Sequence, residues 1–310
     1  MRSWKVCLWT PGNSPAFDGE TFGCASYGVA ARGIWNGPQE PGVVVAPVRF
    51  AGEVVAGRYA DVLERLPHAA FAPQAAVVLF SRGLGAEHFL ERWQGLFPAI
   101  PVAGGAAARG AGQECGELLP AAEDVAVLLL ANGPWRAETL NVHNTVGPAW
   151  EFRAAGPRTI ARLRRSGGGE WEPAAAVFRA RQAESGRGHE DCESITLSDV
   201  NGRNLHCSFA GESLETGADL PADGRLRLRA VSRAAVTEKL KRFCTEPNAL
   251  VFGCAGLRGL LDAPFATGDN SLAGFMFGEL VTLAGRPQFG NLMAARLARQ
   301  EPPPPASGGA

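Results

Sequence analysis

A thiol, two guanidinium groups and a scatter of glycine amides are the groups in this chain best suited to chemistry. Cys254 ends an apolar run and precedes Ala255-Gly256. A cysteine there is a nucleophile if Arg258 or the amides of the loop lower its proton affinity. Otherwise it is a small buried residue at a strand end. No base stands near it in sequence, so His143 or His206 would have to be brought in by the fold. Arg82 and Arg258 occupy equivalent places in two similar segments. A guanidinium fork suits a carboxylate; the other reading is a surface arginine paired with Glu87 or Asp262. Amides beside Gly83, Gly85, Gly104 and Gly105 could hold an anion. Gly83-Leu84-Gly85 lacks the third glycine of a dinucleotide fingerprint, because residue 88 is histidine.

The histidines are His68, His88, His143, His189 and His206. One could ligate haem iron; each reads first as a surface or hydrogen-bonded residue. His189-Glu190-Asp191-Cys192-Glu193 has the residue types of a metal loop, in a polar context that reads as a solvated turn. H-E-x-x-H, G-x-S-x-G and G-K-[ST] are absent.

The elements that must position these groups show an internal repeat. AAVVLFSRGLGAEHFLERWQGLFPAIPVAGGAAARG begins at Ala75, and NALVFGCAGLRGLLDAPFATGDNSLAGFMFGELV begins at Asn248. Each opens on an apolar run ending at Phe80 or Phe252. Each passes a small-residue loop carrying one arginine and closes on an apolar stretch with a glycine, Gly104 or Gly274. Strand, loop, intervening segment and strand, used twice, predict an α/β fold of two related half-domains with mixed sheets around a central cleft. Elsewhere, helices are expected over residues 59–66, 85–97 and 233–243, and strands over 75–81, 100–103, 125–131, 138–143, 205–209 and 226–230. Val43–Phe50 is β-branched, with Pro47 pointing to an edge or a strand end. RTIARLRR, residues 158–165, reads as the polar face of a surface helix. Residues 166–194 are polar and punctuated by Ser166-Gly167-Gly168-Gly169.

Composition bounds the classes. The 310 residues suffice for two ordinary domains or two halves of one. A hydrophobic fraction of 46% with 20% charged residues is that of a globular protein. Lys plus Arg is 30 against 31 for Asp plus Glu, so no basic surplus attracts nucleic acid. No apolar run approaches the ~20 residues of a membrane span, and Pro11-Gly12 breaks the apolar start before it makes a secretory signal. A cytoplasmic protein is expected. The 7 cysteines are odd in number, widely spaced and without a C-x-x-C pair, which argues against a disulfide scaffold or structural zinc.

Taken together, PVAGG near Gly104, ALVFGCAG with its following arginine, AGFMFGEL and FGN resemble the FIST family of two-part ligand-sensing domains. The resemblance is greatest over about residues 230–300. It implies a FIST N-like half over residues 1–135, atypical over 1–60, and a FIST C-like half over 136–300. Residues 301–310 form a Pro-rich disordered tail. Residue by residue, the family's strand-end cysteine falls on Cys254 and its arginine on Arg258, one residue further along. Its Gly-Glu pair falls on Gly278 and Glu279, and its late asparagine on Asn291. Gly290 stands where members often carry histidine. The implied ligand is an amino acid or a similar small carboxylate, held by Arg82, Gly104, Gly105, Cys254, Arg258, Glu279 and Asn291, with signalling through a separate protein partner. No cofactor or metal is expected on this reading. Haem, in a nitric-oxide sensor of the same fold, is one alternative, and an enzyme using Cys254 is the other.

Overall fold

Six apolar residues in a row bury both faces of a strand, and such runs belong in sheet interiors. The computed structural model of the chain describes residues 1–10, 21–26, 29–31, 34–36, 43–81, 86–107, 124–188, 192–261, 266–276 and 278–300. In it Ala75–Phe80 is buried throughout and lies between Val102–Ala106, parallel, and Asp124–Leu130, antiparallel. Ala249–Cys254 is buried throughout and lies between Leu272–Met276, parallel, and Met293–Arg299, antiparallel. The first parallel pair is bridged by the helix Ala86–Leu96 and the second by a segment holding the short helix Ala255–Arg258. The frame is shifted from the expected match of Phe80 with Phe252. Gly104 faces Val78, whereas Gly274 faces Phe252, so by register Phe80 corresponds to Cys254. Sequence spacing runs through bridging segments of unequal length, while pairing is set strand to strand.

Three sheets form among the described residues. The first runs Thr21–Ala25, Arg2–Trp9, Val43–Arg58, Asp124–Leu130, Ala75–Phe80, Val102–Ala106, Glu279–Leu283, Arg286–Phe289. The second runs Ile34–Asn36, Val29–Ala31, Leu272–Met276, Ala249–Cys254, Met293–Arg299, Trp135–Asn141. These two share one apolar core: Val77, Leu79 and Leu128 of the first join Leu250, Phe252, Met293 and Leu297 of the second. Alternation sends Ala76, Val78 and Phe80 to the opposite face, under the helices Tyr59–Arg65 and Ala86–Leu96. The helix Arg233–Cys244, whose N-cap Ser232 accepts from the Ala235 N–H, covers the outer face of the second sheet. The layers are helix, sheet, sheet, helix, an α/β arrangement with mixed sheets. No helix among the described residues is long and apolar enough to cross a membrane.

Residues 144–232 build the third sheet, where sequence reading found no separate unit. Its order is Asn204–Leu205, Cys192–Ser198, Arg225–Ser232, Asn144–Gly156, Thr159–Arg165, Ser213–Thr216, Cys207–Ala210, with Glu172–Pro173 beside Thr159–Arg165. It has its own core, with Ala174, Ala175, Val177 and Phe178 of the helix Ala174–Gly188.

Three expectations are corrected. RTIARLRR is a strand, not a helix: its pairing skips Ala161, between Arg153↔Arg162 and Ala154↔Ile160. That bulge resets the alternation and buries Ile160 and Leu163, whose spacing of three imitates a helix. Val43–Arg58 is an interior strand, and Pro47 is tolerated because the register with Arg2–Trp9 shifts between Lys5↔Arg49 and Cys7↔Val45. The helix Ala174–Gly188 was unread because only its first turns are apolar. Residues 301–310 lie outside the described residues.

Candidate functional site

Glu279 opens an edge-proximal strand of the first sheet directly after Gly278, whose φ of 89° lets the chain turn in. It pairs opposite Gly105, and Leu280 pairs opposite Gly104. Both glycines are needed for close backbone packing. A Cβ at Gly104 would lie 1.9 Å from the Val78 carbonyl oxygen, and one at Gly105 would lie 2.6 Å from that of Gly278. Gly104 also holds a φ of 146°. The backbone packs closely against both, and this pairing places Glu279.

On its strand Glu279 shares a face with Val281, which lies in the core between the two sheets. It is 0% exposed. Oε1 accepts the Met293 N–H at 2.8 Å, and the backbone carbonyl accepts the Gly290 N–H at 2.8 Å. Oε2 has no hydrogen-bond partner among the described residues. Burial pushes the carboxyl up to about 8, partly offset by backbone amides, Met293 among them, and by the Cys254 thiol. At neutral pH it therefore carries its proton. Gly290 is dictated by the same packing: a Cβ there would sit 2.7 Å from Oε1, so no larger residue, histidine included, fits without displacing the acid.

Cys254 faces this carboxyl from the second sheet, 8% exposed at the end of Ala249–Cys254. The N–H groups of Leu292 and Gly256 point at its sulfur. Burial, and then the charge of Glu279, push the thiol up, outweighing those amides. That is the reverse of what a thiolate nucleophile requires. Leu292 reaches this position with φ at 53°, a left-handed conformation that costs a bulky residue roughly 1–2 kcal/mol. Asn291, half-buried, gives its carbonyl to Asn204 Nδ2 at 2.9 Å, while its own Nδ2 is buried with no partner among the described residues.

Cys254 and Glu279 thus meet at the backbone amides of Leu292 and Met293, on the segment that carries Asn291, with Gly105 opposite Glu279. Arg258 ends the four-residue helix that follows Cys254. Arg82 and Asp262 lie outside the described residues. Glu87, expected as a partner of Arg82, meets Arg203 at 3.4 Å and Arg158 at 3.8 Å.

His143 is buried at 2% exposure and lowered to about 4, by burial first and then by Arg229 and Lys239. It is not among the groups acting on Cys254. His68, His88 and His206 are exposed, and His189 lies outside the described residues. Among the described histidines His143 alone is buried, with the cations Arg229 and Lys239 acting on it. No group of three or more His, Cys, Asp or Glu among the described residues could hold a metal ion. A groove of about 390 Å³ lined by Trp4, Gly52, Glu53 and Val54 lies on the first sheet, away from Cys254 and Glu279; its acid, Glu53, already accepts the Ala70 N–H at 3.0 Å.

Sequence reasoning missed Met293, Leu292 and Asn204, which act through backbone amides and a carbonyl contact that residue type does not signal. No protein-family model matches the chain, and no curated protein matches it.

Proposed function

We propose that this chain is a small-molecule-binding protein of the FIST type, with two related α/β half-domains enclosing a site on Cys254, Glu279 and Asn291. It takes an amino acid or a similar small carboxylate and signals through a separate partner. One observation carries the reading: Glu279 Oε2 and Asn291 Nδ2 are buried polar atoms without a partner at full hydrogen-bond geometry among the described residues, the Cys254 thiol being the group against the carboxyl, and they lie on segments that touch each other. Buried polar atoms are normally satisfied, and an exception asks for a water or a ligand. The repeated pattern of a central strand, one parallel neighbour and one antiparallel neighbour supports the two-half reading. The raised Cys254 thiol favours a binder over a thiol enzyme.

The test is to denature the purified protein and identify released small molecules by mass spectrometry, with a visible spectrum of the native protein beside it. A thermal-shift panel of the amino acids and short carboxylic acids follows, with Glu279→Gln as control. A copurifying or stabilising small carboxylate whose effect is lost in Glu279→Gln supports the reading. A Soret band turns it to the haem reading, and an empty panel with nothing released overturns it.

A further inference from the structure

The turn between Cys192–Ser198 and Asn204–Leu205 is the part of the third sheet that reaches the site. It is closed on itself: the Asp199 N–H donates to the Arg203 carbonyl at 3.0 Å, and Asp199 Oδ1 accepts the Arg203 N–H at 2.9 Å. Its tip is tied at three places. Arg203 meets Glu87 of the helix Ala86–Leu96 at 3.4 Å. Asn141 Nδ2, at the end of a second-sheet strand, donates to the Gly202 carbonyl and to Asn204 Oδ1, both at 2.9 Å. Asn204 Nδ2 donates back to Asn141 Oδ1 at 3.2 Å and onward to the Asn291 carbonyl at 2.9 Å. Asn141 Oδ1 also accepts the His143 N–H at 3.0 Å, which fixes the orientation of its amide.

Asn204 is 2% exposed, so its amide must be fully used or it costs stability. One use is a carbonyl immediately before the strained Leu292. The peptide planes on either side of a residue are set by its φ and ψ, so holding the Asn291 carbonyl fixes where the Leu292 N–H points, the two belonging to one planar unit. The next amide, Met293, is the one on Glu279 Oε1.

We propose that Asn204, from the third sheet, is a positioning residue for the Cys254–Glu279 site: it holds the Asn291 carbonyl so that the following two N–H groups face the thiol and the carboxyl. The third sheet then governs the site, and a partner or ligand that shifts the 199–204 turn changes the site's hydrogen bonding. This deepens the small-molecule reading but is tested without any ligand.

The readout is Glu279 itself, through the infrared carbonyl band of its protonated carboxyl, assigned by its loss in Glu279→Gln. The band is titrated from about pH 6 to about pH 10 in the full chain. The titratable group facing Glu279 is the Cys254 thiol, so the titration is repeated in Cys254→Ala to assign the midpoint. In Asn204→Ala the Met293 N–H loosens, the carboxylate loses support, and the midpoint rises by about half a pH unit or more. Asn204→Asp keeps the acceptor for Asn141 but sets oxygen against the Asn291 carbonyl; it moves the midpoint the same way and serves where the alanine variant does not fold. Arg203→Ala, which frees the tip from Glu87 only, leaves the midpoint in place. Folded Asn204 variants with the wild-type midpoint overturn the proposal, as does an equal shift in Arg203→Ala. Failure here leaves the small-molecule reading standing, and an empty ligand panel leaves this titration untouched.

Discussion

Replacing Glu279 by glutamine keeps the shape of a protonated carboxyl and removes its ionisation. In the unfolded chain the carboxyl ionises near 4.5, while the fold holds its proton to about 8. Between those values the folded state keeps a proton that the unfolded state has released, so stability falls as pH rises. Below 4.5 both states are protonated, and above about 8 both are ionised, so the loss is confined to that window. Its full size is roughly 5 kcal/mol, an upper value for a carboxyl this buried. Domains are stable by about 5–15 kcal/mol, so the effect is large. Urea unfolding followed by tryptophan fluorescence at about pH 5, 6.5 and 8 measures it. Glutamine adds a constant offset for its own unsatisfied amide, so only the change with pH matters. The wild type should lose several kcal/mol from pH 5 to 8 that Glu279→Gln does not lose. Parallel pH profiles, within about 0.5 kcal/mol, would refute the claim that burial keeps Glu279 neutral.

Other groups give further expectations. His143 is lowered from 6.5 to about 4, so the unfolded chain protonates first as pH falls, and stability is lost from 6.5 down to 4; His143→Gln should flatten this acid limb in urea unfolding extended down to about pH 4. Cys254 in the native protein should resist a thiol reagent near pH 8 and react only as fast as the site opens, which peptide mapping by mass spectrometry reads directly; immediate labelling would contradict its raised proton affinity. Gly290→Ala should cost about 1–3 kcal/mol, because its Cβ meets Glu279 Oε1 at 2.7 Å. An unchanged melting temperature would show that the acid moves aside freely.

The strands and most helices were legible because burial leaves a period in the sequence. Ala75–Phe80, Ala86–Leu96, Arg233–Cys244 and Ala249–Cys254 all fall where apolar pattern puts them. Pattern failed where the backbone broke its own period, as at the bulge by Ala161. In the third sheet it read Arg225–Ser232 from its alternation but left Asn144–Gly156 and Cys192–Ser198 unread. In the site, Cys254, Glu279 and Asn291 were named in advance by resemblance to a family motif. Arg258, named with them, ends the short helix after Cys254. The amides of Leu292 and Met293 carry no residue-type signal, since every residue but proline has one.

The chain itself supplies a comparison for the surroundings of Cys254. By register Cys254 stands in its strand where Phe80 stands in the first. Phe80 is 0% exposed and packs against Tyr59, Phe89 and Phe289, with ring centroids 5.3–5.9 Å apart. That is the solution stability alone selects: apolar area buried and no polar atom left over. At Cys254 the same strand position is given to a thiol, set against a neutral buried acid, beside a leucine in a left-handed conformation and an asparagine amide with no partner among the described residues. Each departure costs stability, and an apolar side chain would avoid it. On the small-molecule reading proposed above, these departures are kept for a ligand, and the Phe80 position shows what the strand holds without one.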